Sequence, residues 1–158
     1  TSRSDQNGTG TACAASLRKL DPCALLYRSA PGNAPTSLGA FGLVPDDTMD
    51  VMTNAQTLAG LSSRLFSAVD AELEARRPDF LLIQGDTTTV MVAATCAFYR
   101  GIPVGHVEAG LRSRDLRKPF PEEFNRRVAS LATTLHFAPT RGAARIFLPN
   151  ISHRIVSS

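Results

Sequence analysis

Three acids, Asp86, Glu108 and Glu122, each stand just beyond an apolar run or at the opening of an apolar-patterned helix. Carboxylates gathered in a partly enclosed site have their proton affinities pushed apart, so that one accepts a proton while another donates it. Acid–base work on a sugar needs such a set. Each acid also has a plainer reading: Asp86 can cap the helix that follows it, and Glu122 with Glu123 can complement a helix dipole. The run Gly85-Asp-Thr-Thr-Thr89 puts the small hydroxyls of Thr87 and Thr88 where a strand turns into a helix, whose free N–H groups favour an anion or a sugar hydroxyl. It is neither a Gly-rich dinucleotide fingerprint nor a Walker loop. Arg112, Arg114, Arg117 and Lys118 make a basic loop able to meet a diphosphate or simply to be solvated. His106 and His136 lie inside apolar runs, where a hydrogen-bonded structural histidine is the commoner occupant, and no spaced His/Cys/carboxylate set predicts a metal site.

These side chains need elements to hold them. Leu58, Leu61, Leu65, Val69 and Leu73 recur at three- and four-residue spacing, which predicts a helix from about Asn54, capped by a Thr53/Gln56 box, to a stop before Pro78. Phe80-Leu-Leu-Ile83 then reads as a strand buried on both faces. A helix follows over 88–99, a strand over 102–107, a helix opened by Pro121-Glu-Glu123, a strand over 135–138 and a helix over 140–148. Upstream, 14–20 suggests a short helix and 23–27 a short strand among turn-rich segments. The alternation predicts an α/β fold, a mainly parallel sheet with helices on both faces. In such sheets ligands bind beyond the carboxyl ends of the strands, which is where Asp86, Glu108 and Glu122 would converge.

With 158 residues, 43% of them hydrophobic and 20% charged, the chain has the composition of an ordinary globular domain. No apolar run reaches the roughly 20 residues of a spanning helix, and no membrane partner is expected. Residues 1–10 lack the pattern of a secretory signal, so the expected location is cytoplasmic. Cys13, Cys23 and Cys96 are odd in number and far apart, and are expected to be free thiols. A net charge of +3 with scattered basic residues argues against nucleic acid as a partner.

Four segments in fixed order are specific together: Gln84-Gly-Asp-Thr-Thr-Thr89, Ile102-Pro-Val-Gly-His-Val-Glu-Ala-Gly-Leu-Arg112, Pro121-Glu-Glu-Phe-Asn-Arg126 and His136-Phe-Ala-Pro-Thr140. They resemble the non-hydrolysing UDP-N-acetylglucosamine (UDP-GlcNAc) 2-epimerases. The resemblance is strongest from Pro78 to Thr140 and reaches back through Phe41-Gly-Leu-Val-Pro45 to about Gly42. It implies a glycosyltransferase-B-like architecture of two Rossmann-like domains. Residues 41–150 would be the first, 1–40 a divergent segment, and 151–158 the start of a crossover to a second domain that the chain lacks. It also implies interconversion of UDP-GlcNAc and UDP-ManNAc by loss of the C2 proton, elimination of UDP and its re-addition, with no cofactor.

Carried over by motif, Asp86, Glu108 and Glu122 are the acid–base carboxylates, and Thr87, Thr88, Arg112 and Arg126 meet substrate. Gln56 matches a glutamine of the site where bacterial members bind a second UDP-GlcNAc as activator, and members are homodimers. Two departures stand out. The family's Gly-Thr-Arg-Pro-Glu after its first strand has no counterpart between Thr1 and Leu20, and its Thr-Gly-Gln-His loop falls near Tyr27-Arg-Ser-Ala30. The alternative readings are an inactive remnant or sugar-nucleotide-binding module, and a hydrolysing relative that releases ManNAc and UDP.

Overall fold

The structure is a computed structural model that describes residues 25–27, 47–147 and 154–157. The expected helix over 14–20, the motif at 41–45, Cys13 and Cys23 lie outside the described residues. In chain order the elements are β1 (Leu25–Tyr27), β2 (Asp47–Met49), α1 (Leu58–Arg76), β3 (Leu81–Gln84), α2 (Thr88–Tyr99), β4 (Val104–Val107), α3 (Glu122–Ala132), β5 (Leu135–Ala138), α4 (Arg141–Ala144) and β6 (Arg154–Ser157). β3, β4, β5 and β6 form a four-stranded sheet in that order, every neighbouring pair parallel. β1 and β2 pair in parallel as a separate two-stranded sheet. This is the α/β alternation that the sequence predicts.

The spacing of α1 does what it predicts: Leu61, Leu65, Val69 and Leu73 are its buried residues. Its start differs. Thr57 is the N-cap, its side-chain oxygen accepting the Gly60 N–H at 3.1 Å, while the Thr53/Gln56 pair closes a turn upstream in which the Thr53 N–H donates to Gln56 Oε1 at 3.1 Å. One bond of the box is thus present without a helix directly behind it, and Thr57 takes the capping role four residues on. The helix ends where Arg77 turns left-handed at φ 46° and donates its N–H back to the Leu73 carbonyl, with Pro78 blocking continuation.

One core joins α1, α2, α3 and the sheet: Leu65, Val69, Ile83, Val92, Ala94, Val104 and Ala129 are buried together. β3 is not buried on both sides, since Leu82, on the face opposite Ile83, is 60% exposed. Period-two alternation puts Leu81 and Ile83 on one face and Leu82 on the other, so a continuous apolar run alone does not tell double burial from single. Cys96, between α1 and α2, is a buried free thiol whose proton affinity burial pushes up to about 11.

Because the strands are parallel, their carboxyl ends share one edge, and the ladder is prolonged there by backbone bonds from Gly85 N–H to the Val107 carbonyl and from Ala109 N–H to the Phe137 carbonyl. These bonds hold the residue before Asp86 and the residues on either side of Glu108 in register with their neighbours.

Candidate functional site

At that edge Gly85 takes φ 82°, a conformation that glycine adopts freely, and turns the chain out of β3 into α2. Thr87, not Asp86, caps α2, accepting the Val90 N–H at 3.4 Å. The capping reading of Asp86 is therefore wrong, and its carboxylate is occupied elsewhere. Its Oδ2 receives the Arg126 guanidinium at 2.8 Å from the first turns of α3. Asn125 adds a second tie, donating its side-chain N–H to the Asp86 carbonyl at 3.0 Å and approaching Thr88 Oγ1 at 3.5 Å. α3 thus clamps the β3–α2 turn through two consecutive residues.

A cavity of about 190 Å³ opens beside this clamp, lined among others by Leu58, Thr87, Thr88, Thr89, Glu122 and Asn125. Glu122 Oε2 is buried without a hydrogen-bond partner among the described residues. An unpaired buried carboxylate oxygen is costly, and such groups mark places where a ligand or a proton completes the set. Its neighbour Glu123 is the opposite case. It is fully buried and saturated, accepting the Ser113 N–H at 3.0 Å and the Arg127 Nε–H at 3.0 Å, with Arg126 Nε at 3.5 Å. Burial opposes its charge, but the Ser113 N–H and the two guanidinium groups outweigh that and hold the carboxyl below its ordinary value.

Glu108 follows β4 with φ 66°, a left-handed conformation that costs a residue with a Cβ about 1–2 kcal/mol. Its carboxylate is exposed. Between Glu108 and Asp86 lies His106, whose Nε2–H donates to the Gly85 carbonyl at 2.7 Å while Nδ1 is buried without a partner among the described residues. Burial lowers its proton affinity, the bond to Gly85 and the charges of Asp86 and Glu108 pulling the other way and Arg112 reinforcing the loss. His106 is thus a neutral structural histidine, as its place in an apolar strand suggests, and it connects the turns that carry both acids.

Arg112 leaves the next loop in a fixed pose. It donates to the Leu111 carbonyl at 2.7 Å and to Ser130 Oγ at 2.9 Å, and its guanidinium lies 5.7 Å from the centre of the Phe147 ring, which in turn stacks on His136. Burial lowers its proton affinity, with the Glu123 charge opposing. Gly110 permits this packing: φ is 87°, and a Cβ there would stand 2.3 Å from the Ala143 carbonyl oxygen.

Asp86, Thr87, Thr88, Glu122 and Arg126 are therefore gathered about one turn and its cavity. Glu108 and Arg112 lie within electrostatic reach of the same His106 that Asp86 faces. Gln56 does not line the cavity. It sits in the turn before α1, its Oε1 bonded by the Arg64 guanidinium and its Nε2 near Met52 Sδ, although Leu58, two residues on, does line it. Sequence reasoning missed Glu123 and Asn125. The signal for Glu123 was available in the arginines three and four residues after it. No group of three or more His, Cys, Asp or Glu among the described residues could hold a metal ion, and no described helix is long and apolar enough to cross a membrane.

Comparison with known proteins agrees with the motifs. Residues 32–153 match the UDP-N-acetylglucosamine 2-epimerase family. The UDP-N-acetylglucosamine 2-epimerase of Bacillus subtilis is 45% identical over 103 residues, which cover 65% of this chain and 27% of that protein. The enzyme of the same name from Neisseria meningitidis serogroup A is 44% identical over 103 residues, covering 65% and 28%. Among solved structures, UDP-GlcNAc 2-epimerase from Neisseria meningitidis bound to UDP-GlcNAc superposes with a TM-score of 0.77 at 34% identity, covering 85% of this chain and 37% of that one. The Methanocaldococcus jannaschii enzyme in complex with UDP-GlcNAc and UDP gives 0.69 at 30% identity, covering 76% and 33%. The matched part of this chain thus spans about three-tenths of the curated relatives' length. A family match running from residue 32 to 153, together with the shared fold, assigns it: the chain belongs to the UDP-N-acetylglucosamine 2-epimerase family.

Proposed function

We propose that these residues supply the proton-transfer edge of a UDP-GlcNAc 2-epimerase, with residues 41–150 as the first of two domains and UDP-GlcNAc as substrate. The supporting observation is the meeting of Asp86, Glu122 and Arg126 around the β3–α2 turn, with one Glu122 oxygen buried and unpartnered. In this reading a carboxylate removes the C2 proton, the C1–oxygen bond breaks with departure of UDP, and 2-acetamidoglucal forms. Re-addition of UDP at C1 with protonation on the other face of C2 gives UDP-ManNAc. Asp86, Glu108 and Glu122 are the acid–base groups, Thr87 and Thr88 offer hydroxyls and N–H groups at the start of α2, and Arg112 and Arg126 balance the anionic charge. A second UDP-GlcNAc acting as activator would meet Gln56, and the working form is a homodimer.

The test is proton NMR of UDP-GlcNAc with the protein in D₂O. The expected result is loss of the C2 proton signal as solvent deuterium enters, with growth of UDP-ManNAc. Glu122→Gln should slow this by about 10²–10⁴-fold, the usual contribution of a general acid or base. A folded protein that leaves the C2 proton in place rejects the reading, and accumulation of free ManNAc with UDP replaces it with hydrolysis.

A further inference from the structure

Glu123 has no place in the proposed proton transfers, yet it is the most completely buried and most fully bonded carboxylate of the described residues at this edge. Its three partners lie on two elements. The Ser113 N–H belongs to the loop that carries Arg112, whereas Arg126 and Arg127 lie one turn further along α3. Arg126 in turn spans two acids, with Nε toward Glu123 and the Glu122 carbonyl at 3.5 and 3.3 Å and Nη2 on Asp86 Oδ2 at 2.8 Å. A planar guanidinium held at one edge has its other edge aimed, so the place of the Glu123 carboxylate sets where Arg126 can hold Asp86.

We infer that Glu123 is a positioning residue of this site: a buried carboxylate that aims Arg126 at Asp86 and anchors the Arg112 loop through Ser113. The inference rests on the epimerase reading. Glu123 touches no substrate in it and moves no proton. It fixes two other groups that do meet substrate in that reading, one through the 3.5 Å ion pair with Arg126 Nε and one through a backbone bond. A merely structural ion pair would hold α3 in place without governing the geometry of Asp86.

Glu123→Gln separates the two roles, because an amide oxygen still accepts the Ser113 N–H but no longer carries the charge that orients Arg126. The expected result is a fall in kcat of about 10- to 100-fold, the size of effect that a displacement near 1 Å produces. KM should stay within about twofold, as for an interaction felt in the transition state. In ¹⁵N-arginine NMR spectra the Arg126 Nε–H signal, identified by its loss in Arg126→Lys, should exchange with solvent at least about 10-fold faster in the variant. An Arg126 signal unchanged by Glu123→Gln overturns the inference, as does a loosened Arg126 with kcat intact. If the parent protein leaves the C2 proton in place, the epimerase reading fails by itself, and the Arg126 signal alone decides whether Glu123 orients it. Should Glu123→Gln not fold, Glu123→Asp, which keeps the charge but withdraws it by one methylene, is read in the same way.

Discussion

Two clusters of arginine and carboxylate sit at different places on this molecule, and solvent makes them different objects. At the carboxyl edge of the sheet, Glu123 is fully buried against Arg126 and Arg127, with Asp86 beyond. Elsewhere, where α1 and α2 run side by side, Arg100 bridges Asp70 and Glu74, and Arg77 meets Glu74 from the end of α1. The residue types are the same, and the exposed pairs are as short as the buried ones. Glu74 is 56% exposed, however, so water and salt already satisfy most of what Arg100 offers it. Proximity alone therefore does not rank ion pairs; burial does.

Replacing Glu123 by alanine should break this comparison most severely. It leaves Arg126, in a nearly dry place, with only Asp86 to balance its charge and frees the Ser113 N–H, and removing one member of a buried pair costs about 3–5 kcal/mol. The value should fall near about 3 kcal/mol, because Arg127 is 43% exposed and finds water instead. Urea unfolding followed by circular dichroism measures it. A loss no larger than that of an ordinary surface substitution would mean that the buried network is as replaceable as the exposed one.

Acid should separate the clusters more gently. His106 is held neutral, with its folded proton affinity below the unfolded one, so its contribution is complete above the unfolded value near 6.5 and is lost as pH falls from there toward the folded value. Glu123 is likewise held below its ordinary value, so its contribution is present above the unfolded value and goes only as pH falls through the lower folded one. Thermal midpoints should therefore begin to drop just below about pH 6.5 and drop again in the carboxylate range. His106→Gln, which keeps a side-chain N–H for the Gly85 carbonyl, should flatten the upper stage only. A midpoint that holds level from pH 7 to pH 5 would remove His106 from the account.

Much of this was legible in the sequence, and the parts that were not have physical reasons. The face of α1 followed from the leucine and valine spacing, with four of the five positions buried and Leu58, in the first turn, 43% exposed, because helical period is a local property, and β5 came out at its observed bounds because turn residues and a helix pattern flank it. The start of α1 did not, since Thr53 and Thr57 carry the same chemistry and only the folded chain chooses between them. At Pro121-Glu-Glu123 the sequence suggested two acids in one first turn. Consecutive helical residues point about 100° apart, so one faces the cavity and the other the Ser113 loop, and only the docking of α3 on the sheet edge decides which. Asp86 was read either as an acid or as a cap. The arginine that holds it, 40 positions later in the chain, lies beyond the reach of any local pattern.

The smallest expected effect belongs to the exposed cluster. Glu74→Gln removes a charge that two arginines approach, and the proton affinities of Asp70 and Glu74 are both lowered chiefly by hydrogen bonding from Arg100. On contacts alone it should therefore matter as much as a change at Glu123. Yet Arg100 keeps Asp70 at 2.6 Å after the change, Arg77 is free to turn into water, and the amide still accepts a hydrogen bond. The thermal midpoint at physiological salt should therefore match that of the parent within error, with a small drop appearing only when salt is lowered and screening weakens. A salt-independent loss comparable to that of Glu123→Ala would show that the exposed cluster is tied into the fold by something other than charge, and would dissolve the contrast between the two clusters.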